Sequence, residues 1–470
     1  MNTFDYQFIF NDIIDGYSKV CLIKALQSES ISFDIFIDDS HIHLLTGNHL
    51  SSIQADLLDL AIAIHFADKL AIPKKNRSIQ IQLSLPLRHP DIFMQNEALL
   101  HDLLSWYTKD DWYFQFQSRK SKKRKSECCM NQLALPYTLE SVEFALWSGG
   151  LDSLAGLQTR LLNNKSENFA LIGTGSNNIM RKTQQQAFQA LRYLPHASGH
   201  LRFLHVPINA NYGARYSHNQ SHRARGIVFL LIGAVCALSA GSRKLHVYET
   251  GIGAINLPLP GGVGRDHSKA VHPISLIKME QFISSVNKEL FLIENPFVFS
   301  TKAEMCISLK EFPQIIFETI SCDRLHREKY IQCGFCSSCI LRRQALLAAG
   351  IKDQTKYLIP HGKKTQERHL SYWKLMNRQI AILNDALNSL DPLFRLKTSY
   401  SNDFPDIVSY MAIRNDRNDN EIEQEIVKLY RTYVQEWQNS AIFIQDDMTN
   451  DRNHEQYLED KRWHQMQLIN

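Results

Sequence analysis

The sequence lacks most of the features that mark a specialised chain. Proline and glycine are sparse, 14 and 20 in 470 residues, which excludes collagen-like and low-complexity classes. An excess of one charge sign is missing too: 52 basic against 48 acidic residues leave +4, too little to imply a polyanionic partner by itself. The opening, Met1-Asn-Thr-Phe-Asp-Tyr6, has no basic segment running into an apolar one, so a secreted protein is not expected. Long apolar runs are absent. The segment that imitates a membrane span, Gly226 to Ser242, has 17 uncharged residues between Arg223, Arg225 and Arg243, Lys244. That length is at the bottom of the spanning range, and its Gly, Ala and Ser content reads as a buried helix packed on a sheet, with no membrane role. No internal repeat is present.

What remains is an ordinary globular composition, 44% hydrophobic and 21% charged, long enough for two or three units with real cores. Residues 1–140 mix strand-like segments (Ser32–Asp38, Ile79–Leu85, Trp112–Gln117) with helix-like ones (Asp56–Lys69, Leu99–Tyr107), which reads as an N-terminal α+β unit without chemistry. A basic run follows, Arg119, Lys120, Lys122, Lys123, Arg124 and Lys125. Without interleaved aromatics for base stacking it reads as a solvated loop or linker ahead of a nucleic-acid contact. From residue 141 the pattern becomes strand, Gly-rich turn, helix, repeated, with strands at Glu143–Trp147, Ala170–Gly173, Arg202–Val206 and Leu245–Tyr248. Short apolar strands alternating with helices predict an α/β fold with a parallel sheet, whose ligands sit at the strands' carboxyl ends. Residues 351–470 read as a helical extension, with helices at Tyr372–Leu390 and Glu421–Gln438 and a charged turn from Asn415.

Two motifs carry chemistry. Ser148-Gly149-Gly150-Leu151-Asp152-Ser153 follows the first core strand and precedes a helical stretch, Leu154–Asn163. Its glycines let backbone N–H groups close on phosphate oxygens, its hydroxyls add donors, and the following helix start adds partial positive charge. No Gly-Lys-Ser/Thr ends it, so it is not a Walker A loop. Asp152 does not bind phosphate directly but suits a Mg²⁺ ion that does. The second motif is Cys322, Cys333, Cys336 and Cys339, four of nine cysteines within 18 residues. That spacing in a reducing, cytoplasmic setting predicts a closed structural zinc site, with an iron–sulfur cluster as the alternative. Cys21, Cys128, Cys129, Cys236 and Cys306 read as free thiols.

The loop resembles the PP-loop of ATP pyrophosphatases (adenine nucleotide alpha hydrolase-like enzymes). The two motifs in this order, over residues 141–352, resemble 7-cyano-7-deazaguanine synthases. The resemblance implies ATP, Mg²⁺ and Zn²⁺ as cofactors, and a deazapurine carboxylate as substrate. It matches Arg225 to an arginine of an Arg-Asn pair whose second residue is here Gly226, and Lys302 in Ser-Thr-Lys-Ala-Glu to a lysine before a late helix. Arg342 matches the arginine of C-x-x-R, and Gly350 with Asp353 the closing segment. Arg225, Lys302 and Asp152 are then the expected catalytic groups. Arg225 and Lys302 meet departing pyrophosphate, and Arg342 supports the zinc knuckle. Where the synthases carry Gly-Tyr-Pro-Asp-Cys-Arg, this chain has Glu249-Thr-Gly-Ile-Gly-Ala-Ile-Asn256, so Glu249 and Asn256 become the candidates for holding the purine ring. Gly261–Gly264 is a lid or a turn.

The long flanks resemble those of synthase-like proteins in Qat-type bacterial anti-phage operons. That resemblance implies a changed acceptor, an amine on a partner protein in place of ammonia, with synthesis of the free nitrile from ammonia as the alternative. No N-terminal cysteine nucleophile of the glutaminase kind is present in the core. Two rival readings remain at this level: PP-loop tRNA modification such as thiolation, and a nucleotide-binding scaffold without catalysis.

Overall fold

The computed structural model describes residues 4–24, 30–46, 48–74, 77–121, 123–128, 142–164, 168–175, 178–211, 219, 223–261, 269–323, 331–400, 404 and 407–449. Ten strands form one sheet: β1 (Tyr6–Phe10), β2 (Tyr17–Lys24), β3 (Ser30–Ile37), β4 (Gln80–Leu87), β5 (Asp111–Ser118), β6 (Val142–Leu146), β7 (Asn168–Gly175), β8 (Leu201–Asn211), β9 (Lys244–His246) and β10 (Leu292–Glu294). The N-terminal helices are α1 (Ile42–Thr46), α2 (Ser52–Leu70), α3 (Pro90–Gln95) and α4 (Glu97–Thr108). The central ones are α5 (Leu151–Asn163), α6 (Asn178–Arg192), α7 (Arg225–Ser239), α8 (Gly251–Ile255), α9 (Pro273–Asn287), α10 (Lys302–Cys306) and α11 (Ser337–Ala348). Four more follow among the described residues: α12 (Ser371–Leu387), α13 (Pro392–Ser399), α14 (Ile407–Asn415) and α15 (Asp419–Thr449).

The strand order is β10-β9-β6-β7-β8-β3-β2-β1-β4-β5. The central half, β10 to β8, is parallel throughout, as alternating strands and helices require. The expected α/β architecture with a parallel sheet is therefore present. The N-terminal strands do not stand apart from it. β3 pairs antiparallel with β8, from Asp34 opposite Asn211 to Ile37 opposite Ile208, so one sheet runs through both regions. A single apolar cluster on one face joins Phe8, Leu60 and Leu83 to Ile227, Leu231 and Ile283. The other face carries α5 and α6, with Leu154, Leu157 and Phe188 in its cluster.

The uncharged segment 226–242 forms most of α7, which lies against α2, β6 and β9. Being apolar all round, it is buried all round. Burial pushes its Cys236 thiol up to about 12, as expected of a packed sulfur. Among the described residues no helix is long and apolar enough to cross a membrane. Helices α12–α15 build a third apolar cluster around Trp373, Leu383, Leu396 and Trp437, and they rest on Ile255, Leu257 and Ile340 of the central region.

The basic run departs from the expectation of a solvated linker. Arg124 is buried, bonded to Asp59 at 2.9 Å and Asp39 at 3.3 Å, and Arg119 reaches Asp59 at 3.5 Å. Arg88 completes the cluster on Asp56 at 3.0 Å, Asp59 at 2.7 Å and Glu127. Composition reports a run of positive charge, but the buried acids of α2 decide where two of those charges go. Lys120 and Lys123 are exposed, and Lys122 lies outside the described residues. Arg124→Ala should therefore cost about 3–5 kcal/mol, because Asp39 loses its cation and Asp59 loses one of its three. Lys123→Ala should stay within about 0.5 kcal/mol of wild type. Urea midpoints of the two variants check this, and equal midpoints would contradict the buried network.

Candidate functional site

The Gly-rich loop turns at the carboxyl end of β6. Gly149 adopts φ +74°, and a Cβ there would meet the Gln184 Cα at 2.9 Å, so the loop needs glycine both for its turn and for its approach to α6. Ser148 Oγ lies 2.7 Å from Ser153 Oγ and accepts from the Gly150 N–H at 3.1 Å. The helix starts earlier than the sequence pattern indicates. α5 opens at Leu151, so Asp152 and Ser153 sit in its first turn. Gly150 is its N-cap and supplies no capping side chain, which leaves first-turn N–H groups for an anion. The loop leans on a later segment: Ile320 N–H donates to Gly149 O at 3.2 Å, and Leu151 N–H to Ser321 Oγ at 3.4 Å. Beneath it, His205 pairs with Gln184 Oε1 at 2.8 Å. Burial, then Arg181, depresses that histidine to about 4, so it is neutral.

Three ionisable groups meet beside the loop. Lys302 Nζ lies 2.6 Å from Asp152 Oδ1 and also bonds Oδ2. Burial opposes the Lys302 ammonium, yet the Asp152 and Glu249 carboxyls outweigh it and hold the lysine above its ordinary value. Glu249 follows β9 and accepts from the Thr250 N–H at 3.1 Å. Burial, reinforced by Asp152 and opposed by Lys302, pushes Glu249 up to about 8. At neutral pH its carboxyl is protonated and offers one donor and one acceptor, in place of the two acceptors expected of a carboxylate. Lys302 is fixed by its helix start: Thr301 caps α10, its Oγ1 accepting from the Glu304 N–H at 3.2 Å while its own N–H donates to Glu304 Oε2 at 2.7 Å. The reciprocal pair is spelled by Thr301-x-x-Glu304.

The remaining expected residues fall less centrally. Arg225 opens α7, exposed, with its guanidinium 5.2 Å from the Phe229 ring centroid. Among the described residues it makes no hydrogen bond or ion pair with the loop or Lys302. Asn256 ends α8 in the left-handed region, φ 47°, where asparagine is tolerated, and its N–H donates to Ile252 O at 3.0 Å. Gly261 sits in a turn, while 262–264 lie outside the described residues, as does Cys129. Cys306, a free thiol as the sequence indicates, is wholly buried on α10. Burial, then Asp152, pushes its thiol up to about 12.

The four cysteines converge. Their sulfurs all lie within 4.8 Å of one another, with Cys333 to Cys339 at 3.9 Å and Cys322 to Cys336 at 4.0 Å. Four thiolates at the Zn–S bond length around a tetrahedral ion are ~3.8 Å apart, so donor set and spacing fit zinc. A multi-iron cluster with bridging sulfides needs a wider cage. The Cys336 and Phe335 N–H groups point at Cys333 Sγ, at 3.2 and 3.5 Å. Gly334 turns at φ +83°, where a Cβ would meet Tyr357 Cβ at 2.9 Å. Arg342 is fully buried and ties this module to the loop. It donates to Thr319 Oγ1 at 2.8 Å, Ile316 O at 2.7 Å and Ser321 Oγ at 3.4 Å, within the segment that contacts Gly149 and Leu151. Asp353 accepts from the Thr355 N–H at 2.9 Å and from Tyr357 Oη–H at 2.8 Å, on the same side.

Residues 273–350 match the family described as queuosine biosynthesis protein QueC. This span holds Lys302, the four cysteines and Arg342, whereas the loop 148–153 lies outside it. The chain is 45% identical over 53 residues to a 7-cyano-7-deazaguanine synthase of Methanococcus maripaludis, covering 11% of this chain and 23% of the relative. A 7-cyano-7-deazaguanine synthase of Methanocaldococcus jannaschii is 31% identical over 90 residues, 17% of this chain and 39% of the relative. The chain thus spans less than half the length of these curated relatives.

Two outcomes follow from the geometry. Purified protein should hold one zinc ion per chain by elemental mass spectrometry. Cys336→Ser or prolonged chelation should remove both the metal and folding energy on the order of 10 kcal/mol. Wild-type thermal stability on full retention of fold after chelation would contradict a structural ion. For Glu249, a folded-state pKa of about 8 against an ordinary 4.5 means the native state holds a proton that the unfolded state has lost. Its contribution is fully present below 4.5 and is lost as pH rises through 8. Glu249→Gln should melt like wild type near pH 4.5 and above it at pH 9, and a gap that closes with rising pH would refute the protonated carboxyl.

Proposed function

We propose that this protein uses ATP to adenylate a 7-carboxy-7-deazaguanine-like carboxylate and passes the acyl group to an amine. The observation that carries the reading is the Lys302–Asp152 pair, with Glu249 beside it, at the opening of a Gly-rich loop capped by no side chain. The ATP triphosphate lies along Ser148–Ser153, held by backbone N–H groups and the Ser148 and Ser153 hydroxyls. The substrate carboxylate oxygen attacks the α phosphorus, the bond from that phosphorus to the bridging oxygen breaks, and pyrophosphate leaves. Lys302, paired with Asp152, meets the departing charge, with Arg225 as a second cation at the head of α7. Mg²⁺ arriving on the phosphates would be held by Asp152, the carboxylate chemistry it suits, and would neutralise phosphate charge. Glu249 and Asn256 contact the purine-like ring, Glu249 through one donor and one acceptor.

An amine then attacks the acyl carbon and AMP leaves with the former carboxylate oxygen. Free ammonia gives a primary amide, which a second adenylation dehydrates to the nitrile. An amine on a partner protein gives a conjugate that stops there, because a secondary amide cannot be taken to a nitrile this way. Similarity to the synthases supports the ammonia route, and the long flanks, resembling the anti-phage operon proteins, support the protein acceptor. Thiolation of tRNA is less well served. The thiol near the loop, Cys306, is buried and protonated, and sulfur transfer needs an accessible thiolate. A scaffold without catalysis has no need of a charged lysine buried against the loop aspartate.

The test is AMP formation from ATP, Mg²⁺ and 7-carboxy-7-deazaguanine, with ammonia and then with candidate partner proteins, following product mass. Lys302→Ala and Asp152→Ala should lower AMP formation about 10²–10³-fold with zinc content and circular dichroism unchanged. Full AMP formation by either variant would sink the assignment.

A further inference from the structure

The long C-terminal helix reaches into the site from behind. Glu436, on α15, accepts from Thr301 Oγ1–H at 2.6 Å through Oε1. Its Oε2 receives the Gln344 amide of α11 at 3.5 Å. Thr301 is the cap of the helix that begins with Lys302, and its hydroxyl is engaged on both sides: it accepts from Glu304 N–H and donates to Glu436. Seven residues earlier on the same helix, Leu429 presses on the segment after Glu249. A Cβ at Gly251 would meet Leu429 Cδ2 at 2.5 Å and Val298 O at 2.2 Å. The two segments are also tied to each other, Gly251 N–H donating to Ser300 O at 2.9 Å. Residues seven apart lie two turns apart on one helix face. One face of α15 therefore backs both the segment that carries Glu249 and the segment that carries Lys302.

We propose that Glu436 is a positioning residue that sets the Lys302 ammonium against Asp152 by fixing the Thr301 cap, so that the C-terminal extension tunes the phosphate-facing lysine. The proposal rests on the adenylation reading for its kinetic consequence but not for its structural one. Thr301 alone is an ordinary helix cap. The acceptor on α15 removes the rotational freedom of its hydroxyl, and with it the freedom of the first turn that places Lys302. A misplacement of about an ångström at such a group costs up to 10²-fold in rate.

The variants are Glu436→Leu, which removes the acceptor, Glu436→Gln, which keeps one, and Gln435→Ala on the exposed neighbouring position as control. In full-length, zinc-loaded protein, Glu436→Leu should lower kcat for AMP formation about 10–50-fold, with KM for ATP changed less than about 2-fold, as expected of lost positioning. Glu436→Gln should recover most of that loss, and Gln435→Ala should match wild type. A second readout is independent of activity: trace acetylation of lysines followed by peptide mass spectrometry. Lys302 should label several-fold faster in Glu436→Leu than in wild type or Glu436→Gln. Wild-type kcat in Glu436→Leu, or an equal loss in Glu436→Gln, overturns the proposal. If wild type makes no AMP with any acceptor, the adenylation reading falls. The labelling then decides positioning: unchanged Lys302 reactivity rejects it and faster labelling sustains it.

Discussion

A lysine and an aspartate, drawn from helices that are 150 residues apart in the chain, are held together mostly out of water, and the rest of the central structure serves that contact. Two charges leave water only when each supplies the other's missing solvation, and removing either strands its partner. The pair stands because α5 begins at Leu151, which sets Asp152 in a first helical turn, and because α10 begins at Lys302 behind a reciprocal Thr301–Glu304 cap. Glu249 responds to the same confinement. Burial, and then the neighbouring Asp152, raise its carboxyl against the pull of Lys302, so it keeps its proton.

The four-cysteine knuckle, whose spacing fits a zinc ion, belongs to this arrangement. Its four sulfurs fix Ser337–Ala348, and Arg342 on that helix spends its guanidinium on Ile316, Thr319 and Ser321. Those residues are the ones on which Gly149 and Leu151 lean. Loop, lysine and knuckle thus form one connected frame, with α15 closing it from outside. The match to the QueC family falls on the lysine and knuckle part of that frame, residues 273–350.

Much of this was legible in the residues. The loop 148–153 and the cysteine spacing are local patterns whose chemistry constrains their geometry, and the apolar stretch from Gly226 admits only a buried helix in a chain with no companion span. What escaped is long-range. The pairing of β3 with β8, which joins the N-terminal strands to the central sheet, is written in neither strand's own pattern, and β9 and β10 are three residues each. β1 and β2 were missed as strands altogether. The run at 119–125 was misread because charge was counted without its partners: Arg119 and Arg124 are buried on acids that lie elsewhere in the sequence. The raised pKa of Glu249 has no local signal, because the neighbours that shape it, Asp152 and Lys302, come from other elements. The Thr301-x-x-Glu304 signal was available, whereas nothing near Glu436 announces that it ends on Thr301.

Adenylation is defined by which bond of ATP is broken, and by which atom. The decisive measurement uses 7-carboxy-7-deazaguanine labelled with ¹⁸O in its carboxylate, incubated with protein, ATP, Mg²⁺ and an amine, with the released nucleotide weighed by mass spectrometry. Adenylation predicts AMP carrying one ¹⁸O from the carboxylate. ADP, or AMP without the label, would contradict it.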